Sequence, residues 1–121
     1  MAQNITLQIF TPEKTAVNRK VYRVVLPYGT TNLTIIENRA PTSLILQDGA
    51  LHILNEDDSI ADTYFIDDGV VDVADNVCKI STRHIIHRSK ISVERARELL
   101  VKEPQNESYY QAIINYLENF G

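Results

Sequence analysis

The chain has 121 residues, of which 44% are hydrophobic and 23% charged, with 16 acids against 12 bases for a net charge of −4. This length fits one compact body with an appendage, and the composition supports a buried core rather than disorder. The acidic balance excludes general affinity for phosphate backbones, so no nucleic-acid partner is expected. The single Cys78 excludes an internal disulfide, which makes a reducing cytoplasm the expectation. No apolar run approaches the roughly 18 residues needed to cross a bilayer, so membrane association is expected only through a partner.

From Asn4 to Thr82 short apolar runs alternate with polar residues and are cut by turn residues, the signature of strands in two antiparallel layers. Ile5, Leu7 and Ile9 alternate with Thr6 and Gln8, and Thr11-Pro12-Glu13 ends that run because proline cannot donate to a ladder. Further strands are predicted over Val21 to Leu26, Leu33 to Ile36, Thr42 to Leu46, Ala50 to Leu54, Thr63 to Ile66, Val70 to Val73 and Val77 to Thr82. Pro27-Tyr28-Gly29, Gln47-Asp48-Gly49, Asn55 to Asp58 and Asp67-Asp68-Gly69 read as tight reversals joining adjacent strands, with Asp-Gly the strongest hairpin signal.

After Lys90 the texture becomes helical. Ser92 is placed to cap a helix whose Ala96, Leu99 and Leu100 share one face, with Glu94 near its positive end and Lys102 near its negative end. Pro104 cannot continue that helix, and Asn106 or Ser108 is placed to cap a second one carrying Tyr109, Ile113, Tyr116, Leu117 and Phe120 along one stripe. Helices this short are marginal alone, so their stripes need each other and the sandwich, or a groove on another protein. Charge is also segregated: nine carboxylates and no base lie between Asp48 and Asp75, seven bases and two acids between Lys79 and Lys102, and only acids beyond. Solvated loops and helix-dipole matching account for that pattern.

The candidate reactive groups do not assemble into a motif. His84 and His87 have a spacing that aligns ligands on a helix, whereas they follow a predicted strand, and His52 is remote; no metal site is assigned. Asp57, Asp58, Asp62, Asp67, Asp68 and Asp72 lack the alternation, central Gly and closing Glu of a calcium loop. Cys78, in a strand without a nucleophile elbow, reads as a small core hydrophobe. The residues by themselves therefore point to binding or assembly, with no catalytic residue and no cofactor.

The ordered motifs resemble the epsilon subunits of F-type ATP synthase, the rotor-stalk proteins called delta in mitochondria. The opening Leu7 to Lys14 is similar to that family's first strand and turn, and Val21 to Pro27 to its second strand. Leu33 to Pro41 resembles a strand followed by a His-Ala-Pro turn. Gln47 to Leu51 matches a Pro-Gly hairpin, and Phe65 to Val73 a run into a valine-rich strand. Ile91 to Ala96 then opens the helical part. The resemblance implies a mainly β fold with about ten strands in an N-terminal antiparallel sandwich, followed by a C-terminal two-helix antiparallel hairpin. It divides the chain into residues 1–88, which bind gamma and the c ring, and residues 89–121, a short helical hairpin with a possible regulatory role.

What it implies about function is mechanical: a central-stalk subunit of a proton-translocating ATP synthase, not itself an enzyme, that couples c-ring rotation to gamma and so to ATP synthesis. The ring contacts it implies are Tyr28, Gly29, Thr30, Thr31, Asn32, Glu37, Asn38 and Arg39, with Arg39 standing where the family usually has His. The gamma contacts it implies are Thr11, Pro12, Ser43, Asp67, Asp68, Gly69 and Val70. In some family members ATP holds the hairpin closed, and the opened hairpin blocks hydrolysis among alpha and beta. Of that nucleotide motif Ile91, Arg95 and Ala96 match, Ser92 replaces an Asp, and no base follows Lys102, so the vestigial motif implies weak or absent inhibition. The isolated chain is expected to be a monomer, and in its complex a peripheral protein on the cytoplasmic face of a bacterial inner membrane. The amino end, without a basic stretch leading into an apolar one, suits a bacterial or organelle-encoded chain. Two other readings stay open: a small nucleotide-sensing module using the hairpin with Arg95 and Arg97, and a stand-alone hydrolase.

Overall fold

The computed structural model describes residues 3–120. Ten strands come first: β1 (Ile5–Phe10), β2 (Thr15–Val21), β3 (Arg23–Tyr28), β4 (Thr31–Ile35), β5 (Thr42–Leu46), β6 (Gly49–Leu54), β7 (Ile60–Ile66), β8 (Gly69–Ala74), β9 (Val77–Thr82) and β10 (Ile85–His87). A 3-10 turn at Arg88–Lys90 leads to α1 (Val93–Lys102), and a second at Pro104–Asn106 runs directly into α2 (Glu107–Phe120). The strands form two five-stranded sheets, the first ordered β2-β1-β9-β8-β5 and the second β10-β7-β6-β3-β4.

Period-two burial makes this a sandwich. Ile5, Leu7, Ile9, Val71, Val73, Cys78 and Ile80 from the first sheet meet Val24, Leu26, Ile35, Leu51, Ile53 and Ile66 from the second in one core. Burying each such side chain contributes on the order of 1.5 to 3 kcal/mol, enough to hold the two layers face to face. The pairing is antiparallel except that β1 lies parallel to β9, with Thr6 opposite Val77 and Phe10 opposite Ser81. A parallel neighbour needs a long connection between the strands, and seven intervening strands supply it.

The structure splits the expected Val21 to Leu26 strand: Val21 ends β2, the chain changes sheet at Tyr22, and β3 begins at Arg23. Strands β2 and β10 go unrecognised when the residues alone are read. Arg19 and Lys20 break the apolar alternation of β2, and β10 is only three residues long.

Two turns expected to be hairpins are not. Asp48 lies between β5 of the first sheet and β6 of the second, and Asp67-Asp68 between β7 of the second and β8 of the first. Turn chemistry sets the reversal of the chain, while the choice of sheet is made by distant strands that pair with the exit. The true tight hairpins include the β3–β4 turn, with Gly29 at φ 61°, and the Asp75-Asn76 turn, whose two residues at φ 51° and 61° have the left-handed geometry of a type I′ reversal.

The ladders define two ends. The tip end carries the Thr11 to Lys14 turn, the β3–β4 turn, and the crossings at Asp48, Asp67-Asp68 and Arg83-His84; the base end carries the Ile36 to Pro41 crossing and the Asp75-Asn76 turn. The helical hairpin lies on the outer face of the second sheet. There Ala96, Tyr109, Tyr110, Ile113 and Ile114 bury against Phe65, with Ala50 and Ile86 at the margin. The expected stripe holds at Tyr109 and Ile113, but Phe120 at its end is 70% exposed, and Tyr110 and Ile114 join the buried face. Ser92 caps α1 by accepting the Arg95 N–H at 3.1 Å. Neither expected cap of α2 acts as one: the Asn106 amide donates to Glu103, and the Ser108 hydroxyl donates to Asp48.

One glycine is sterically required at the tip end. A Cβ on Gly69 would overlap the Ser81 carbonyl oxygen and lie 3.1 Å from Thr82 Cα, both backbone atoms that cannot move without breaking the β8–β9 ladder. Gly69→Ala is expected to destabilise the protein by about 3 kcal/mol, read as a lowered urea midpoint with unchanged slope.

Candidate functional site

At the tip end the chain is knotted around a buried carboxylate. Asp67 is 1% exposed; its Oδ1 accepts the Asp68 N–H at 2.9 Å, and its Oδ2 lies 2.9 Å from His84 Nδ1 and 3.0 Å from Arg83 Nη2. The Thr82 hydroxyl lies within 3.3 Å of the carbonyls of Asp67, Asp68 and His84, so the two chain crossings share one polar core. The His84 ring stacks on Tyr109 with centroids 5.6 Å apart, and the Tyr109 hydroxyl donates to the Phe65 carbonyl at 2.8 Å. The hairpin is thereby tied to the same corner. Burial raises the Tyr109 hydroxyl pKa far above the ordinary 10.0, with Tyr110 and Asp67 adding to it, so at neutral pH this group is a fixed donor.

Beside that knot, on the outer face of the first sheet, an open groove is lined by Phe10, Thr11, Pro12, Asp68, Gly69, Val70, Ser81, Thr82 and Arg83. Register continues it sideways: Val70 lies opposite Ile45 on β5 and opposite Ser81 on β9, which lies opposite Phe10. Ile45 is 70% exposed and Val70 45%. The next row along the strands is polar: Ser43, Asp72, Lys79 and Gln8, with the Ser43 hydroxyl donating to Asp72.

Thr11, Pro12, Asp68, Gly69 and Val70 are thus brought together in one groove. Asp67 does not join them, because its carboxylate is turned inward and consumed by the knot. Ser43 sits in the next row, toward the base end.

The residues assigned to the ring do not form one surface. Tyr28, Gly29, Thr30, Thr31 and Asn32 make up the exposed tip of the β3–β4 hairpin. Glu37, Asn38 and Arg39 lie at the base end, beyond the other end of β4; five residues at about 3.3 Å each place the two groups roughly 16 Å apart. At the base end Asn38, at φ 62°, clasps the β8–β9 turn: its N–H donates to Asn76 Oδ1 at 2.6 Å, and Asn76 Nδ2 donates back at 3.2 Å. Glu37 accepts from Asn4 at 2.7 Å, while Arg39 lines a cleft with Pro41 and Asp75 and its Nε is buried without a hydrogen-bond partner among the described residues. The resemblance assigned both groups to the ring; the extended strand between them separates them.

The residues that the resemblance assigns to a vestigial nucleotide motif are built into the hairpin. Ile91 packs beneath the helices, Ser92 caps α1, Ala96 is fully buried, and Arg95 pairs with Glu98 at 3.1 Å. Arg97 pairs with Glu118 across the hairpin.

The histidines serve three separate contacts. His84 belongs to the Asp67 knot, while His87 Nε2 meets Asp62 Oδ1 at 2.8 Å and its Nδ1 accepts the Ser89 N–H. His52 Nδ1 lies 2.8 Å from the Thr63 hydroxyl, and burial, then Arg88, lowers its pKa. Among the described residues no group of three or more His, Cys, Asp or Glu could hold a metal ion. Cys78 is buried, and desolvation pushes its thiol up to about 12, so it is a core residue without thiolate character.

The fold is thus a ten-strand sandwich with a helical hairpin docked on one sheet and a groove open on the other. The chain belongs to the ATP synthase delta/epsilon chain family, whose beta-sandwich domain matches residues 4–88. The ATP synthase epsilon chain of Gluconacetobacter diazotrophicus is 28% identical over 98 residues, 81% of this chain and 69% of that one. Two solved chains share the fold. One, from the Euglena gracilis mitochondrial ATP synthase OSCP/F1/c-ring assembly, has a TM-score of 0.70 at 18% identity over 96% of this chain and 77% of that one. The other, from the Tetrahymena thermophila mitochondrial ATP synthase central stalk and c ring, has a TM-score of 0.60 at 16% identity over 92% and 97%.

A charged bridge at the sandwich edge gives a pH signature. Asp62 accepts from His87 at 2.8 Å and from Arg19 of the other sheet at 2.9 Å. The His87 hydrogen bond is the largest cause holding its carboxyl below the ordinary 3.8; burial opposes it and Arg19 adds to it. A depressed folded pKa contributes stability that is present above the unfolded value and lost as pH falls through the folded one. Asp62→Asn is therefore expected to lower stability at neutral pH and to flatten its fall below about pH 4, measured as urea midpoints across that range.

Proposed function

We propose that this chain is a non-catalytic central-stalk subunit of a proton-translocating F-type ATP synthase, peripheral on the cytoplasmic face of a bacterial inner membrane, linking the c ring to gamma. The observation that carries this reading, beside family membership, is the unequal cover of the two sheets. The hairpin covers the outer face of the second sheet over Ala50, Phe65 and Ile86, while the first keeps Ile45 and Val70 exposed beside the groove at Thr11 and Pro12.

In this reading residues 1–88 form the coupling body and gamma lies on the first sheet, over Thr11, Pro12, Asp68, Gly69, Val70 and Ser43. The Tyr28 to Asn32 tip meets the ring. Glu37, Asn38 and Arg39, assigned to the ring with that tip, lie at the other end and adjoin Ser43 through the start of β5. Torque transfer asks for a body that does not shear. Close packing of the two sheets, the Arg19–Asp62 bridge between them and the shared polar core of the tip-end crossings supply that stiffness.

Residues 89–121 are held closed in this reading. Arg97–Glu118 and Ser108–Asp48 are exposed contacts, each worth under about 1 kcal/mol. Burial of Tyr109, Tyr110, Ile113 and Ile114 contributes on the order of 1.5 to 3 kcal/mol for each side chain, so apolar docking decides the closed state. The last helix carries no basic residue, only Glu107 and Glu118, which supports weak or absent inhibition of hydrolysis.

Mixing the chain with its cognate gamma subunit is expected to give a one-to-one complex by size exclusion and calorimetry; no complex, with both proteins folded, overturns the assignment. An excess of the chain over an enzyme stripped of this subunit is expected to leave ATP hydrolysis unchanged, and a severalfold fall overturns the closed-hairpin reading.

A further inference from the structure

Four strands lie at sheet edges: β2 and β5 in the first sheet, β10 and β4 in the second. An edge presents unpaired N–H and C=O groups, and natural sheets guard edges with charge, proline, bulges, shortness or cover. β2 carries Arg19 and Lys20 and meets β1 through a register shift at Ile9/Phe10. β10 has three residues and sits beside the helical hairpin, which buries Ile86. β4 exposes only Thr31, Asn32 and Thr34.

β5, like β4, has none of these guards, and unlike β4 it exposes a large apolar side chain. Its sequence, Thr-Ser-Leu-Ile-Leu, contains no charge and no proline, and its register against β8 is unbroken from Thr42↔Val73 to Leu46↔Gly69. Its outward side chains are Ser43 and Ile45, and Ile45 is among the most exposed large apolar residues described. On the inner side Leu44 is only partly covered at the rim of the core. An unguarded, flat, apolar edge is the physical template for strand addition.

We propose that gamma binds this chain by adding an extended strand to the free edge of β5, so that the first sheet continues into the partner. The inference rests on the gamma-binding reading above and names its mode. The two rows of the outer face set the chemistry of the added strand. Beside Ile45 and Val70 it presents an apolar side chain. Beside Ser43, whose hydroxyl is already given to the Asp72 carboxylate, it presents a polar side chain that can donate to the Ser43 oxygen. On the inner side an apolar residue closes over Leu44. Backbone hydrogen bonds supply the affinity and this alternation the specificity.

The test is residue-resolved amide exchange of the full chain, free and with its cognate gamma subunit, together with the affinity of Ile45→Lys. The N–H groups within Thr42 to Leu46 that point away from β8 are expected to slow on the order of tenfold or more in the complex, in an alternating pattern. Ile45→Lys, at a position open enough to leave the fold intact, is expected to weaken the complex on the order of tenfold, while Thr34→Lys on the polar edge of β4 does not. A complex in which the β5 amides exchange as in the free chain overturns strand addition and leaves the gamma reading standing. Failure of any complex overturns both. A dimer of the chain alone with protected β5 amides assigns the edge to a second copy and also overturns the proposal.

Discussion

The second sheet is apolar on both faces where β10, β7 and β6 lie, and the rest of the molecule is arranged around that constraint. On β7 Phe65 and Ile66 are adjacent and both fully buried; since neighbouring strand residues point to opposite faces, β7 cannot be left with one side in water. The first sheet answers one face and the helical hairpin the other. Two short helices that would be marginal alone gain a fixed seat, and the sandwich gains a third layer exactly where its second sheet requires one.

The same asymmetry leaves the first sheet covered once. Its strand β8 alternates strictly: Val71 and Val73 are buried while Val70, Asp72 and Ala74 are exposed, so a solvated outer face costs little along that strand. Ile45 and Val70 are the exception. Their exposure, next to an edge strand with no protective device, makes this face the one that is physically incomplete.

The Asp67 knot connects the two halves of this arrangement. A buried carboxylate is tolerable only when its oxygens are met, and here they are met by the next residue's N–H, by His84 and by Arg83. Because His84 stacks on Tyr109 and Asp68 and Arg83 line the groove, the seat of the hairpin and the rim of the open face share one polar cluster. A partner pressing on the groove meets a surface braced from behind rather than a loop.

Alternation at Ile5, Leu7 and Ile9, the turn residues around Gly29 and Asp58, the Ser92 cap and the Ala96–Leu99–Leu100 stripe determined strands, reversals and a helical hairpin from the sequence alone, because period, capping and turn chemistry are local. The order of motifs along the chain also determined the family. Tertiary structure alone decided which sheet each strand joins: the Asp48 and Asp67-Asp68 turns cross between layers, and β1 runs parallel to β9, since pairing energy comes from residues far away in sequence. It alone separated Glu37, Asn38 and Arg39 from the Tyr28 to Asn32 tip, by the length of β4. It turned Asp67 inward, and it left β5 as an edge. Whether a carboxylate is surface or core, and whether a strand has one neighbour or two, are properties of the assembled layers that no local pattern encodes.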